Sequence, residues 1–211
     1  METMDPRSIV RDGYDRASHA YREDECDLEL SGYGHWLRRF LPRLPAGARI
    51  LDLGCGCGVP VARELAAKGY AVTGLDLSVV QVERARGLVP AARFVCADMS
   101  TVDFAPGSFD AVVAFYSIIN LPVSDQPAMF RRIAGWLAPG GWLLAIVGRF
   151  PWTGIEPDFR GVQGVPMYWG LASVTDARAW CAGAELAIEE EGVQPPRGNP
   201  GFSVFIARTA G

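Results

Sequence analysis

The chain has 211 residues, enough for one large domain with an ample core, so it needs no metal or disulfide staple for stability. Its 20 basic and 24 acidic residues give a formal net charge of -4 with no segment rich in Lys and Arg, which excludes the basic footprint of sequence-independent nucleic-acid binding. Hydrophobic residues at 49% and charged ones at 21% exclude a disordered or fibrous chain.

Residues 8–41 read as two helices. Val10, Tyr14, Ala17 and Tyr21 recur at helical spacing, then Tyr33, Trp36, Leu37, Phe40 and Leu41 form a second stripe that Pro42 and Pro45 end. A strict alternation follows. A strand over 49–53 empties into glycines and a helix over 59–68 closed by Gly69. A strand over 70–76 leads to Ser78-Val79-Val80-Gln81, which has the form of a capping box. Strands are expected over 92–97 and 109–119, the latter apolar enough to be buried on both faces. Pro127 starts a helix carrying Phe130, Ile133, Ala134 and Leu137 on one face; Pro139-Gly140-Gly141 stops it before a strand over 142–148. Alternation of this kind implies right-handed crossovers and a parallel sheet covered on both sides.

After Gly148 the rhythm fails. Residues 150–171 are rich in Gly, Pro and aromatics, among them Phe150, Trp152, Phe159, Tyr168 and Trp169, and are expected to form a long lid loop. A helix over 175–182 and strands over 186–193 and 202–208, joined by a short loop over 194–201, complete the chain, the two strands forming an antiparallel pair.

Chemistry concentrates in Ile50-Leu51-Asp52-Leu53-Gly54-Cys55-Gly56-Cys57-Gly58, a buried strand running into a glycine loop and then a helix. Glycines there let the backbone turn sharply and let a ligand approach the main chain. A dinucleotide fingerprint needs a glycine where Val59 stands, and Asp52 would repel a pyrophosphate but suits a cationic ligand. Asp76 and Asp98 stand at the ends of the next two strands, on the carboxyl edge where ligands of open α/β sheets bind.

Leu51 to Gly58 resembles the first motif of the class I S-adenosylmethionine (SAM) dependent methyltransferases, hydrophobic-Asp-x-Gly-x-Gly-x-Gly. The resemblance implies a Rossmann-like α/β fold: a doubly wound, mainly parallel seven-stranded sheet with N-terminal helices and an antiparallel last strand. It divides the chain into a helical cover over 1–45 and a cofactor-binding core over 46–211, with the lid at 150–171. It implies cofactor contacts from Asp52, Gly54, Cys55, Gly56 and Gly58. Asp76 would take both ribose hydroxyls, and Leu77 and Met99 the adenine faces. Asp98 would accept from the adenine amino group, Phe115 would lie beside the methionine part, and Tyr14 and Tyr21 would cover the cofactor.

Similar small-molecule enzymes carry His where this chain has Asn120, in Ser117-Ile118-Ile119-Asn120-Leu121-Pro122. An amide orients a substrate but takes no proton at neutral pH. Tyr116, Asn120 and His19 are therefore the candidate catalytic residues, with Glu156 and Asp158 as further candidate bases, and Trp152, Tyr168 and Trp169 as candidate substrate contacts.

Cysteines at 26, 55, 57, 96 and 181 form neither a disulfide framework nor a zinc set, so no metal is expected. The start at Met1 lacks a basic, apolar leader, and no stretch of about 18 apolar residues occurs, so a cytoplasmic location is expected. The expected activity is methyl transfer from SAM, giving S-adenosylhomocysteine, to a small molecule, natural products included. Nucleic acid and membrane are not expected partners, and the protein would act as a monomer or homodimer. Rival readings are a nicotinamide oxidoreductase, a module that binds SAM without catalysis, and a macromolecular methyltransferase.

Overall fold

The first strand, β1 (Arg49–Leu53), is buried over its last four residues and lies inside the sheet with a parallel neighbour on each side. The computed structural model describes residues 5–29, 31–194 and 201–211. The unpunctuated start at residues 1–4 and most of the loop expected over 194–201 lie outside the described residues.

Two N-terminal helices, α1 (Pro6–Tyr21) and α2 (Tyr33–Phe40), precede β1. After it come α3 (Val61–Ala67), β2 (Ala71–Asp76), α4 (Val79–Leu88), β3 (Arg93–Cys96), β4 (Phe109–Ala114), α5 (Gln126–Trp136) and β5 (Leu137–Val147). A hairpin of β6 (Trp152–Glu156) and β7 (Met167–Leu171) stands apart, before α6 (Val174–Gly183), β8 (Leu186–Gln194) and β9 (Phe202–Thr209). The main sheet has seven strands in the order β3-β2-β1-β4-β5-β9-β8, and β9 runs antiparallel to both of its neighbours. The doubly wound fold with an antiparallel last strand is therefore present. Strand order reverses between β1 and β4, the switch point at which open α/β sheets leave a crevice for ligands.

Each face of the sheet carries its own apolar core. Leu37, Phe40, Leu65 and Val82 pack with Ile50, Val113 and Ile206 on one side. Phe130, Ile133 and Cys181 pack with Leu51, Val112 and Phe205 on the other. A third cluster joins Ile9, Val10 and Ala17 of α1 to Phe159, Val165, Met167 and Tyr168 and takes no residue from the main sheet.

Four differences from the sequence reading have physical causes. Residues 150–171 are not one long loop but a five-pair antiparallel hairpin, whose short strands the Gly and Pro content conceals. β4 ends at Ala114 rather than 119, because Tyr116 turns the backbone into the left-handed region (φ 57°) and Ile118–Asn120 form a 3-10 turn; the apolar run reports burial, not strand. β5 begins at Leu137, since the Pro139-Gly140-Gly141 segment is taken into the strand with a register shift opposite Phe109 and Ala111. The box at Ser78 is half made. Its hydroxyl accepts from the Gln81 N–H at 3.1 Å, while the Gln81 side chain accepts from Ser18 of α1 and the Ser78 N–H donates to Asp76.

Phe205 is fully buried at the centre of β9. Phe205→Ala should destabilise the protein by about 3–5 kcal/mol. Urea unfolding checks this, and a loss under about 1 kcal/mol would contradict its place in the core.

Candidate active site

β1 runs into a loop whose glycines have distinct duties. Gly54 (φ 75°) has no room for a side chain, since a Cβ would lie 2.2 Å from that of Ser117. Its N–H and that of Cys55 donate to the Leu75 carbonyl, which ties the loop to β2. Gly56 (φ 54°) faces open space, and a Cβ there would meet nothing within 4 Å. Gly58 (φ 77°) instead packs against Val89 and Phe94, so its smallness serves the fit of the loop on α4 and β3. Cys55 and Cys57 are buried thiols with raised pKa, burial being the main cause.

Asp52 is 2% exposed, and its Oδ2 has no hydrogen-bond partner. Burial first, and then the field of Asp76, push its pKa up to about 7. It lines a small recess with Gly54, Gly56 and Arg22. Asp76, at the end of β2, is held from both sides: Gly56 N–H donates to Oδ2 at 2.8 Å and Ser78 N–H to Oδ1 at 2.9 Å. Burial raises this carboxyl's pKa and those two N–H bonds oppose the rise. Each oxygen keeps a lone pair for a further donor.

A second recess continues past Asp76 along Leu77, Asp98 and Met99, with Phe115, Tyr116 and Asn120 on its other wall. Asp98 Oδ1 accepts from the Ser100 N–H and hydroxyl, both at 2.7 Å, and its Oδ2 faces Arg7 Nε at 3.3 Å. α1 roofs this recess with Arg7, Val10, Arg11, Tyr14 and Tyr21. Polar contacts seat it on α4. Asp15 accepts from the Ser78 hydroxyl and the Val80 N–H, and Arg84 reaches Ser18, the Arg22 carbonyl and Asp24.

Asn120 is buried between the roof and the hairpin. Its Oδ1 accepts from the Tyr14 hydroxyl at 3.3 Å and its Nδ2 donates to the Tyr168 carbonyl at 2.9 Å. Both ends of the amide are thus engaged by the protein. Beyond Tyr14, Tyr21 and Tyr116 opens a cavity of about 1080 Å³ bounded by Tyr33, Phe150, Trp152, Trp169 and Phe202. Burial raises the phenol pKa of Tyr14, Tyr33 and Tyr116, so these groups stay protonated and donate hydrogen bonds near neutrality.

The structure therefore brings together Asp52, Gly54, Cys55, Gly56, Asp76, Leu77, Asp98, Met99, Phe115, Tyr116, Asn120, Tyr14 and Tyr21 along one continuous crevice. Trp152 and Trp169 join it through the large cavity, where Glu156 accepts from Trp169 Nε1 at 3.1 Å. Four of the expected residues lie elsewhere, Gly58 among them, since it packs on Val89 and Phe94 and borders neither recess nor the large cavity. Tyr168 packs its ring into the cluster with α1, His19 is exposed in the last turn of α1, and Asp158 accepts from the Gly164 N–H within the hairpin. Sequence reasoning missed Arg7, Ser117, Arg22 and Arg160. Arg7 was within reach, since it lies on the helical stripe of Tyr14 and Tyr21 at spacings of seven.

Among the described residues no helix is long and apolar enough to cross a membrane. Residues 50–141 match the family described as methyltransferase domain. The chain is 35% identical over 189 residues to a 27-O-demethylrifamycin SV methyltransferase of Amycolatopsis mediterranei, with 84% of this chain and 66% of the relative covered. It is 34% identical over 158 residues to a ubiquinone biosynthesis O-methyltransferase of Xanthomonas oryzae pv. oryzae, with 69% and 65% covered. The chain thus spans just under two thirds of the length of these two relatives. Its fold matches that of a magnesium protoporphyrin IX methyltransferase from Synechocystis PCC 6803, solved with bound SAM, at a TM-score of 0.74 and 19% identity over 100% of each chain. With its motif, strand order and relatives in agreement, the chain belongs to the class I SAM-dependent methyltransferases.

Proposed function

We propose that this protein transfers the methyl group of SAM to a small aromatic acceptor. The observation that carries the reading is the buried, half-unsatisfied carboxylate of Asp52 beside the open cradle at Gly56. An orphan acceptor of this kind suits an ammonium group, and the two N–H bonds that orient Asp76 leave it ready for a pair of hydroxyls. The residues present therefore fit SAM: Asp52 for the methionine ammonium, Asp76 for the ribose, and Leu77, Asp98 and Met99 for the adenine. The two relatives, one named for a demethylrifamycin and one for ubiquinone biosynthesis, support a small-molecule acceptor.

SAM supplies a methyl carbon already activated on a sulfonium; an acceptor lone pair forms the new bond, the C–S pair stays on sulfur, and any acceptor proton leaves to solvent. The protein's task is alignment and exclusion of water, and near-attack positioning can supply about 7–11 kcal/mol. Tyr116 borders both the recess and the large cavity, so its phenol lies where the acceptor would meet the methyl group. Asn120 positions rather than titrates, tying the α1 roof to the hairpin. Residues 1–45 act as the cover and 150–171 as the acceptor lid, the exposed Trp152 serving as part of its wall. Among the described residues the cavity walls carry no imidazole, which favours acceptors that need no strong base.

Three outcomes test this. Asp76→Ala should weaken S-adenosylhomocysteine binding about 10-fold or more by calorimetry, because charge-assisted bonds are worth about 1.5–3 kcal/mol. An unchanged dissociation constant in a folded variant would count against the ribose role.

The second concerns pH. Asp52 has its folded pKa raised to about 7, so it favours the folded, ligand-free protein while protonated and that contribution is lost as pH rises through about 7. The cofactor ammonium favours the ionised form. S-adenosylhomocysteine affinity should therefore rise with pH up to about 7, with proton release seen as a dependence of binding heat on buffer. Asp52→Asn should remove that dependence, weaken binding, and stabilise the ligand-free protein at pH above about 7. A pH-independent affinity in the parent protein would exclude this role.

The third separates the two hairpin aromatics. Trp152→Ala should reduce acceptor turnover with cofactor affinity intact, whereas Tyr168→Ala should lower thermal stability, since Tyr168 is a buried residue, 9% exposed, in the cluster with α1. Equal effects on stability would contradict the division.

A further inference from the structure

Two guanidinium groups meet at one ring on the wall of the large cavity. Arg22 lies 5.3 Å and Arg160 5.2 Å from the centroid of Tyr21. Arg22 also stacks on Tyr33 at 5.5 Å, where its Nη2 donates to the phenol at 3.0 Å, and Arg160 lies 5.7 Å from the centroid of Phe159. Among the described residues neither makes an ion pair with a carboxylate. The acidic side chains on the same walls are committed elsewhere: Glu29 to Arg38, and Glu156 to the Trp169 indole.

Arg160 is also held by an unusual backbone. Among the described residues it is one of three non-glycine residues with positive φ (56°), and it stands in the 3-10 turn Phe159–Gly161 at the tip of the hairpin. A left-handed backbone is uncommon at a residue other than glycine and persists where the surrounding structure holds it. Burial raises the Tyr116 phenol pKa while Arg160 and Arg22 both act to lower it, so their field reaches the mouth of the cofactor recess. Like charges gathered on an aromatic wall, without carboxylates between them, are a site for an anion.

We propose that Arg160, with Arg22, binds a carboxylate on the methyl acceptor, so that the acceptor class is an aromatic acid. The assignment rests on the methyltransferase reading above. Aromatic walls of Tyr33, Phe150, Trp152 and Trp169 take the rings, and the guanidinium pair fixes which end of the molecule faces the methyl group. The methionine carboxylate of the cofactor is the other source of such an anion. Arg22 borders the recess of Asp52 as well as the cavity, whereas Arg160 borders the cavity alone, which favours the acceptor as the source at Arg160.

The test uses the full chain saturated with S-adenosylhomocysteine and three probe pairs: benzoate, 2-naphthoate and anthraquinone-2-carboxylate, each against its carboxamide. At least one acid should bind about 10-fold tighter than its amide, a preference that Arg160→Gln removes and Arg160→Lys partly retains. S-adenosylhomocysteine affinity should be unchanged in Arg160→Gln, which also reports that the variant is folded. Acids no tighter than amides across all three pairs, or a preference that survives Arg160→Gln, would overturn the proposal. Weaker S-adenosylhomocysteine binding in Arg160→Gln with the acid preference intact would assign the anion to the cofactor and overturn it equally. Failure of the parent protein to bind S-adenosylhomocysteine at all would instead remove the methyltransferase reading beneath it.

Discussion

A carboxylate buried at the end of a central strand, with one oxygen unpaired, raises the free energy of the ligand-free protein by at least the ~1–3 kcal/mol of an unmet buried polar group. Asp52 is in that position because β1 lies inside a parallel sheet, bordered by β2 and β4 and covered on both faces. Moving it to solvent would mean giving up the burial of Ile50, Leu51 and Leu53 on the same strand. The sheet therefore holds the group where it is, and the cost of ionising it there is recovered when a cation faces it. The chain segments around the crevice either frame that place or close it.

The framing is legible in residue order. A near-continuous apolar strand, glycines and an aspartate at each of three successive strand ends are local signals, and local signals survive folding unchanged. Asp52, Asp76 and Asp98 border the crevice because parallel strands with right-handed crossovers bring all their carboxyl ends to one edge. Even Gly56 and Gly58, alike in sequence and both at positive φ, have opposite surroundings: open space at one, Val89 and Phe94 at the other. That distinction depends on where α4 and β3 pack, which no spacing within the loop encodes.

What was illegible is long-range. The hairpin of β6 and β7 has short strands and a turn rich in glycine and proline, and it packs on α1, far away in sequence. Tyr168 and Trp169 are adjacent in sequence and both pack on the cluster with α1, but of the two only Trp169 also borders the large cavity. Composition marks the segment as aromatic and apolar; only the folded arrangement shows which of the two also reaches the cavity. His19 shows the converse. A residue type suited to catalysis stands on a predicted helix, and the helix turns it to solvent.

The third apolar cluster explains how one fold serves a fixed cofactor and a variable acceptor. α1 takes its hydrophobic contacts from the hairpin, while polar groups, Asp15, Ser18 and Arg84, set its position over α4. Roof and hairpin thus form one packed unit that shares no core residue with the main sheet. Asn120 bridges that unit to the end of β4 with one hydrogen bond in each direction. Replacing hairpin residues reshapes the large cavity without disturbing the loop at Gly56 or the N–H bonds that hold Asp76. Acceptor choice can therefore change while the geometry around Asp52 and Asp76 stays as the sheet dictates.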